Sequence, residues 1–224
     1  MKAVLILSGG VDSTTLLYRM LDMGYEIEAV TFNYAQRHKK EIECAEAIAQ
    51  KLDIIHRVVD LSSLAELLGK SALLGGEEIP DCHYTEEAAK KTVVPNRNMI
   101  MLSIAAGYAE AGEIPELFYA AHKNDRTIYP DCRPEFVQAL YPAILQATAW
   151  HPVHLRAPFL DMSKAEIVRM GLGLGVPYHL TWSCYRGEKQ PCRSCPTCRE
   201  REEAFAVNGI RDPLLDHVDN QAKQ

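Results

Sequence analysis

The chain has 224 residues, 47% of them hydrophobic, enough for one core with at most a small appendage. A formal net charge of −6 argues against a general nucleic-acid binder, and no apolar run approaches the roughly 20 residues of a membrane span. Seven cysteines, with Cys44, Cys82 and Cys132 scattered, do not form a secreted disulfide framework, so a reducing cytoplasm is the expected location.

Residues 3–7 are short, apolar and followed by Ser8-Gly9-Gly10, as in a fully buried strand. Asp12 or Ser13 then caps a helix to about residue 23, with Leu16, Leu17 and Met20 on one face. Residues 27–32 read as a second strand, 39–52 as an amphipathic helix, and 54–60 as a third strand rich in β-branched residues. The stretch 69–95, with Gly75-Gly76, Pro80 and Pro95, is the least regular and suits a lid, a subunit contact or an exposed loop. A helix over 98–111, a strand over 117–121, a helix over 133–149 with Pro134 at its start, and a strand over 153–157 follow. Ser163-Lys164-Ala165-Glu166 is a capping box that opens another helix.

Strands alternating with helices predict an α/β fold, a parallel sheet with helices on both faces. Ligands in such sheets bind beyond the carboxyl ends of the strands, so the segments after each strand are where chemistry is expected. The expected division is a nucleotide-binding domain over 1–180, a metal-binding segment over 181–208 and a polar tail over 209–224.

Ser8-Gly9-Gly10-Val11-Asp12-Ser13 lies between the first strand and the first helix. Glycine lets successive N–H groups turn into one concavity, and the helix N-terminus adds its positive dipole end. Such a turn cradles phosphate. It is not a Walker A loop, because no Gly-Lys-Ser/Thr follows, and it lacks the Gly-x-Gly-x-x-Gly spacing of dinucleotide binders.

Near the C-terminus stand Cys184, Cys192, Cys195 and Cys198. Thiolates that close repel one another unless a cation holds them, and sets of four cysteines favour tetrahedral zinc. An iron–sulfur cluster is the main alternative, and a disulfide pair a weaker one. Its ferredoxin-type motif needs a further Cys after the third, where Glu202 stands here. With four protein ligands and no open position, one zinc per chain would be structural.

The glycine-rich turn resembles the pyrophosphate loop of the PP-loop ATP pyrophosphatase superfamily. That resemblance implies an adenine-nucleotide α-hydrolase-like (Rossmann-like) fold with a C-terminal zinc-binding subdomain, and ATP and Mg2+ as ligands. Asn33-Tyr34-Ala35-Gln36-Arg37-His38, Pro95-Asn96-Arg97-Asn98, Tyr129-Pro130-Asp131-Cys132-Arg133-Pro134-Glu135-Phe136, Thr181-Trp182-Ser183-Cys184-Tyr185 and the cysteine run with Arg201 follow in order. Together they resemble the 7-cyano-7-deazaguanine synthase family of queuosine biosynthesis, over about residues 2–205. Arg193 after the second cysteine and Ala120 before Ala121-His122 depart from the family pattern, where Gly is usual, without removing a ligand or a charge.

The resemblance implies an ATP-dependent C–N ligase that turns 7-carboxy-7-deazaguanine and ammonia into the nitrile. Relatives are commonly homodimers, and direct nucleic-acid or membrane binding is not expected. Leu7, Ser8, Gly9, Gly10, Val11, Asp12, Ser13 and Thr14 are expected around the phosphates, with Asp12 orienting Mg2+ or capping the helix. Thr31, Phe32 and Asn33 are expected beside the adenine. Arg97 and Lys164 are candidates for stabilising phosphate charge in the transition state. Asp125 or Asp131 is a candidate partner for the amidine-like edge of a deazaguanine, and Arg37, His38, His122 and Arg133 are candidate substrate contacts. Three rivals remain: a sulfur-transferring tRNA-modifying PP-loop enzyme, another amidating ligase, and a zinc-stapled nucleotide-binding protein without catalysis.

Overall fold

The structure, a computed structural model, describes residues 1–221. Its strands are β1 (Lys2–Ile6), β2 (Glu26–Asn33), β3 (Ile55–Asp60), β4 (Glu116–Phe118) and β5 (His154–Arg156). Its helices are α1 (Val11–Asp22), α2 (Lys40–Lys51), α3 (Arg97–Ala111), α4 (Pro134–Ala147), α5 (Lys164–Gly173), α6 (Pro196–Val207) and α7 (Pro213–Gln221). All strand pairs are parallel, in the order β3-β2-β1-β4-β5.

Side-chain alternation along β1 sets the layers. Val4 packs with Val30, Leu102 and Leu117 beneath α3 and α4, while Ala3 and Leu5 pack with Leu16, Leu17, Ile48 and Ile167 beneath α1, α2 and α5. The chain winds outward from β1 to β3, then crosses back to lay β4 on the other side of β1. The strand order therefore reverses between β1 and β4, where a crevice opens at the carboxyl ends.

Three local differences from the sequence reading have clear causes. Helix α1 starts at Val11 on Gly10, without a side-chain cap. Ser13 is engaged elsewhere, its hydroxyl accepting the Ser8 N–H at 3.1 Å, and Asp12 turns to an ion pair. Strand β4 stops at Phe118, because pairing with β1 and β5 ends there. The irregular stretch 69–95 buries Ala72, Leu73, Ile79, Cys82 and Ala89, so it is part of the packed body.

The capping box is present in full: Glu166 N donates to Ser163 Oγ at 3.4 Å and Ser163 N donates to Glu166 Oε2 at 2.7 Å. Pro134 stands in the first turn of α4. The segment read as a polar tail carries α7, with Leu214 and Leu215 buried; residues 222–224 of that tail lie outside the described residues.

Candidate active site and metal centre

The crevice between β1 and β4 holds a cavity of about 230 Å³. Ser8, Gly10, Val11, Asp12 and Ser13 form one wall. The loop is held by its own hydroxyls: Ser8 Oγ and Ser13 Oγ lie 2.9 Å apart, and Gly10 N donates to Ser8 Oγ at 3.3 Å. Gly9 has φ +79°, and a Cβ there would sit 2.1 Å from the Glu41 carbonyl oxygen. Only glycine lets the loop lie this close to α2. The first-turn amides of α1 lack helical acceptors and offer the donors and dipole that bind phosphate.

Behind this loop lies a network of charges. Lys164, buried at the start of α5, sits 3.1 Å from Asp12 Oδ2 and 2.8 Å from Glu200 Oε2. His122, also buried, reaches Asp12 Oδ2 at 3.6 Å and Asp125 Oδ2 at 3.5 Å. Burial disfavours charge on His122, but the Asp125 and Asp12 carboxylates outweigh it and push its pKa up to about 9. Burial pushes the Asp125 carboxyl up despite the His122 charge beside it. Asp12 is held below the usual carboxylate range: burial opposes this, and Lys164 and His122 override it. Three carboxylates face two cations, which leaves one negative charge in excess when all are ionised.

The opposite wall is aromatic. Arg97, the first residue of α3, lies among Tyr34, Tyr129 and Tyr185, and its Nη1 donates to Tyr34 Oη at 3.2 Å. Burial works against the charge, yet the surrounding tyrosine oxygens and Asp131 hold the guanidinium pKa above its ordinary value. Tyr119 is buried, lines the same cavity, and its hydroxyl has no partner among the described residues. His38 lines the cavity with Nε2 at 3.2 Å from Glu41 Oε2 and a buried Nδ1 without a partner. Thr31 and Phe32 border the cavity as expected of the end of β2.

Several expected site residues point elsewhere. Asn33 Oδ1 accepts the Ala35 N–H at 3.2 Å within its own turn. Arg37 is exposed and donates to the Gly75 carbonyl at 3.3 Å. Arg133 is exposed and its Nε donates to the Arg126 carbonyl at 3.0 Å. Asp131 accepts the Asn98 N–H at 2.9 Å and so caps the first turn of α3. Thr14 is wholly buried behind the loop, its hydroxyl unpartnered. Lys164 lines the cavity, but its charge is already compensated by carboxylates of the protein itself.

The four C-terminal cysteines converge. The Sγ atoms of Cys184, Cys192, Cys195 and Cys198 all lie within 4.8 Å of one another, and Cys192 Sγ is 4.0 Å from Cys198 Sγ. A tetrahedron of thiolates around zinc at about 2.3 Å has edges of about 3.8 Å, so the set fits that ion. Cys195 caps α6 and Cys198 lies in its first turn, where the helix dipole favours thiolate. The set also anchors the phosphate loop. Trp182, fully buried, donates its indole N–H to the Cys184 carbonyl at 2.9 Å and its backbone N–H to the Gly9 carbonyl at 3.0 Å.

The family model described as "Queuosine biosynthesis protein QueC" matches residues 2–209. The chain belongs to this family. A 7-cyano-7-deazaguanine synthase from Archaeoglobus fulgidus is 59% identical over 96% of this chain and 90% of its own length. One from Methanoregula boonei is 52% identical over 96% of this chain and 98% of its own length. Among solved structures, a 4-thiouridine synthetase in complex with RNA and bound ATP matches with a TM-score of 0.50 at 22% identity, over 92% of this chain and 53% of that one. That likeness is one of fold, and the fold is the PP-loop, adenine-nucleotide α-hydrolase-like one.

In this QueC-family chain the cavity is also lined by residues to which the sequence reading assigned no role. Glu200 is the second carboxylate on Lys164, and its signal was charge balance: a buried ammonium needs counter-charges. Tyr34, Gln36, Tyr129 and Tyr185 stand within the family stretches and all line the cavity. Arg201 is structural, donating to both Asp212 oxygens, at 2.7 and 2.9 Å, and to the Tyr178 carbonyl at 2.9 Å. No described helix is long and apolar enough to cross a membrane.

Proposed function

We propose that this chain converts 7-carboxy-7-deazaguanine, ammonia and ATP to 7-cyano-7-deazaguanine. The observation that carries the reading is a phosphate loop opening onto the same cavity as the residues of the family stretches, Gln36, His38, Arg97, Tyr129 and Tyr185. A carboxylate is a poor electrophile, so one of its oxygens first attacks a phosphorus of ATP, expelling the other part of the nucleotide (pyrophosphate or ADP) and turning that oxygen into part of a good leaving group. Ammonia then displaces that leaving group to give the amide. A second activation takes the amide oxygen, and loss of protons leaves the nitrile. Both carboxylate oxygens thus depart on phosphorus, and the nitrogen comes from ammonia.

In this reading the amides of residues 10–13 and the Ser8 and Ser13 hydroxyls hold the phosphates, and Thr31 and Phe32 border the adenine. Mg2+ accompanies the nucleotide, supplying charge neutralisation on the phosphates. Asp12 suits it: among the described residues its Oδ1 is buried without a hydrogen-bond partner, and Lys164 and His122 hold its carboxyl ionised. Asp125, which lines the cavity, is favoured over Asp131 as a reader of the deazaguanine edge, because Asp131 is occupied as a helix cap. The metal of the cysteine centre is zinc with a structural role, and its four reduced thiols agree with a cytoplasmic protein.

The test is mass spectrometry of metal-loaded protein incubated with ATP, Mg2+, ammonium and 7-carboxy-7-deazaguanine. Appearance of the nitrile with matching nucleotide consumption is expected. Protein that binds ATP yet leaves the acid unchanged overturns the reading.

A further inference from the structure

We propose that Arg97 is the docking point for the carboxylate of the acid substrate, and that through it the enzyme tells the charged acid from its uncharged nitrile product. The inference rests on the reaction proposed above.

The charge of Arg97 is unbalanced. Arginine stays protonated in proteins and offers five N–H donors. Among the described residues, the Arg97 guanidinium makes one hydrogen bond, to Tyr34, and has no carboxylate within 4.0 Å. The acid nearest in kind, Asp131, spends an oxygen on the Asn98 amide instead. Tyrosine rings hold the guanidinium in place, with their centroids 5.6 Å (Tyr34) and 6.0 Å (Tyr129) away. The Tyr129 hydroxyl is itself tied to Tyr185 at 3.1 Å. Arg97 is half-buried on the cavity wall, and with no carboxylate within 4.0 Å among the described residues most of its donors are left for an anion in the cavity.

The other end of the cavity has the opposite balance. Lys164 is matched by two carboxylates, and phosphate there meets backbone amides. None of the groups around Arg97 belongs to the network of Asp12, His122, Asp125, Lys164 and Glu200. The cavity therefore carries two separate anion positions, and the reaction has two anionic reactants. With the phosphates at the loop, the position at Arg97 is left for the carboxylate, whose planar pair of oxygens suits a guanidinium fork. The Tyr119 hydroxyl, buried without a partner in the same wall, is a second donor for the substrate. The first activation removes the carboxylate charge docked at Arg97, and the amide that follows carries none. The nitrile has none, so the strongest contact of the acid is absent from the product.

The test is calorimetric binding of the acid, the nitrile and ATP to metal-loaded wild type, R97Q and R97K. R97Q is expected to weaken the acid about 10- to 100-fold while leaving the nitrile and ATP within about threefold. Equal weakening of acid and nitrile, or selective loss of ATP, overturns the proposal. If R97Q does not fold, R97K decides: a lysine cannot reproduce the fork, so its acid-to-nitrile affinity ratio must fall below that of wild type, and an unchanged ratio overturns the proposal. Failure of the wild type to form nitrile, with acid binding still dependent on Arg97, refutes the reaction and leaves the carboxylate site standing.

Discussion

Two cations line one cavity in opposite surroundings. Lys164 is buried between Asp12 and Glu200, while Arg97 lies among tyrosines with no carboxylate within 4.0 Å among the described residues. The difference separates structural charge from functional charge. A matched buried pair holds elements together: Lys164 joins the start of α5 to α1 and α6. An unmatched cation adds little to the fold and is available to a ligand. The phosphate loop follows the same logic, since it presents neutral amides and hydroxyls and keeps its charges behind it.

The largest expected effect removes the support that both ends share. The cysteine segment reaches the loop through Trp182 and the aromatic wall through Tyr185. Cys195→Ser, or chelation of the metal, should lower the unfolding midpoint by on the order of 10 °C or more and abolish ATP binding with it. A metal-free protein of unchanged midpoint and ATP affinity would break the comparison at its root.

The next effect sharpens it. Lys164→Met leaves Asp12 and Glu200 buried without their cation and should cost about 3–5 kcal/mol in denaturant unfolding. R97Q loses one hydrogen bond to Tyr34 and should cost about 1 kcal/mol or less. Equal losses would mean that the two cations do the same work.

A smaller effect comes from His122. Its folded-state pKa of about 9 lies above the ordinary value of 6.5, so the charged imidazole stabilises the fold. That contribution is complete below about 6.5 and is lost as pH rises through about 9. Stability should fall by about 3 kcal/mol across this window, and H122Q should flatten the dependence. A wild-type profile that is flat, or that rises with pH, contradicts the charged state assigned to the network.

The sequence was most legible where a residue type has one physical use. Strand positions followed from apolar runs, the α5 start from its capping box, and the metal centre from cysteine spacing, which places two ligands at the start of one helix. It was least legible where partners are distant in the chain. Nothing near Lys164 announces Glu200, thirty-six residues on, and nothing near Asp131 says that its carboxylate caps α3 from another segment. Arg37 and Arg133 show the converse. Charged residues within family stretches read as contacts, yet both reach backbone carbonyls at the surface. Helix α7 was missed because its two buried leucines, Leu214 and Leu215, are set among polar residues.

The most direct test of the account follows the atoms. The wild-type protein would be given ATP, heavy-nitrogen ammonium and an acid labelled with heavy oxygen in its carboxylate, with products read by mass spectrometry. The account predicts a nitrile carrying the heavy nitrogen, with the heavy oxygens recovered on the phosphorus-containing products. Heavy oxygen released only as water, or a nitrile without the ammonium nitrogen, would contradict activation of the carboxylate by ATP.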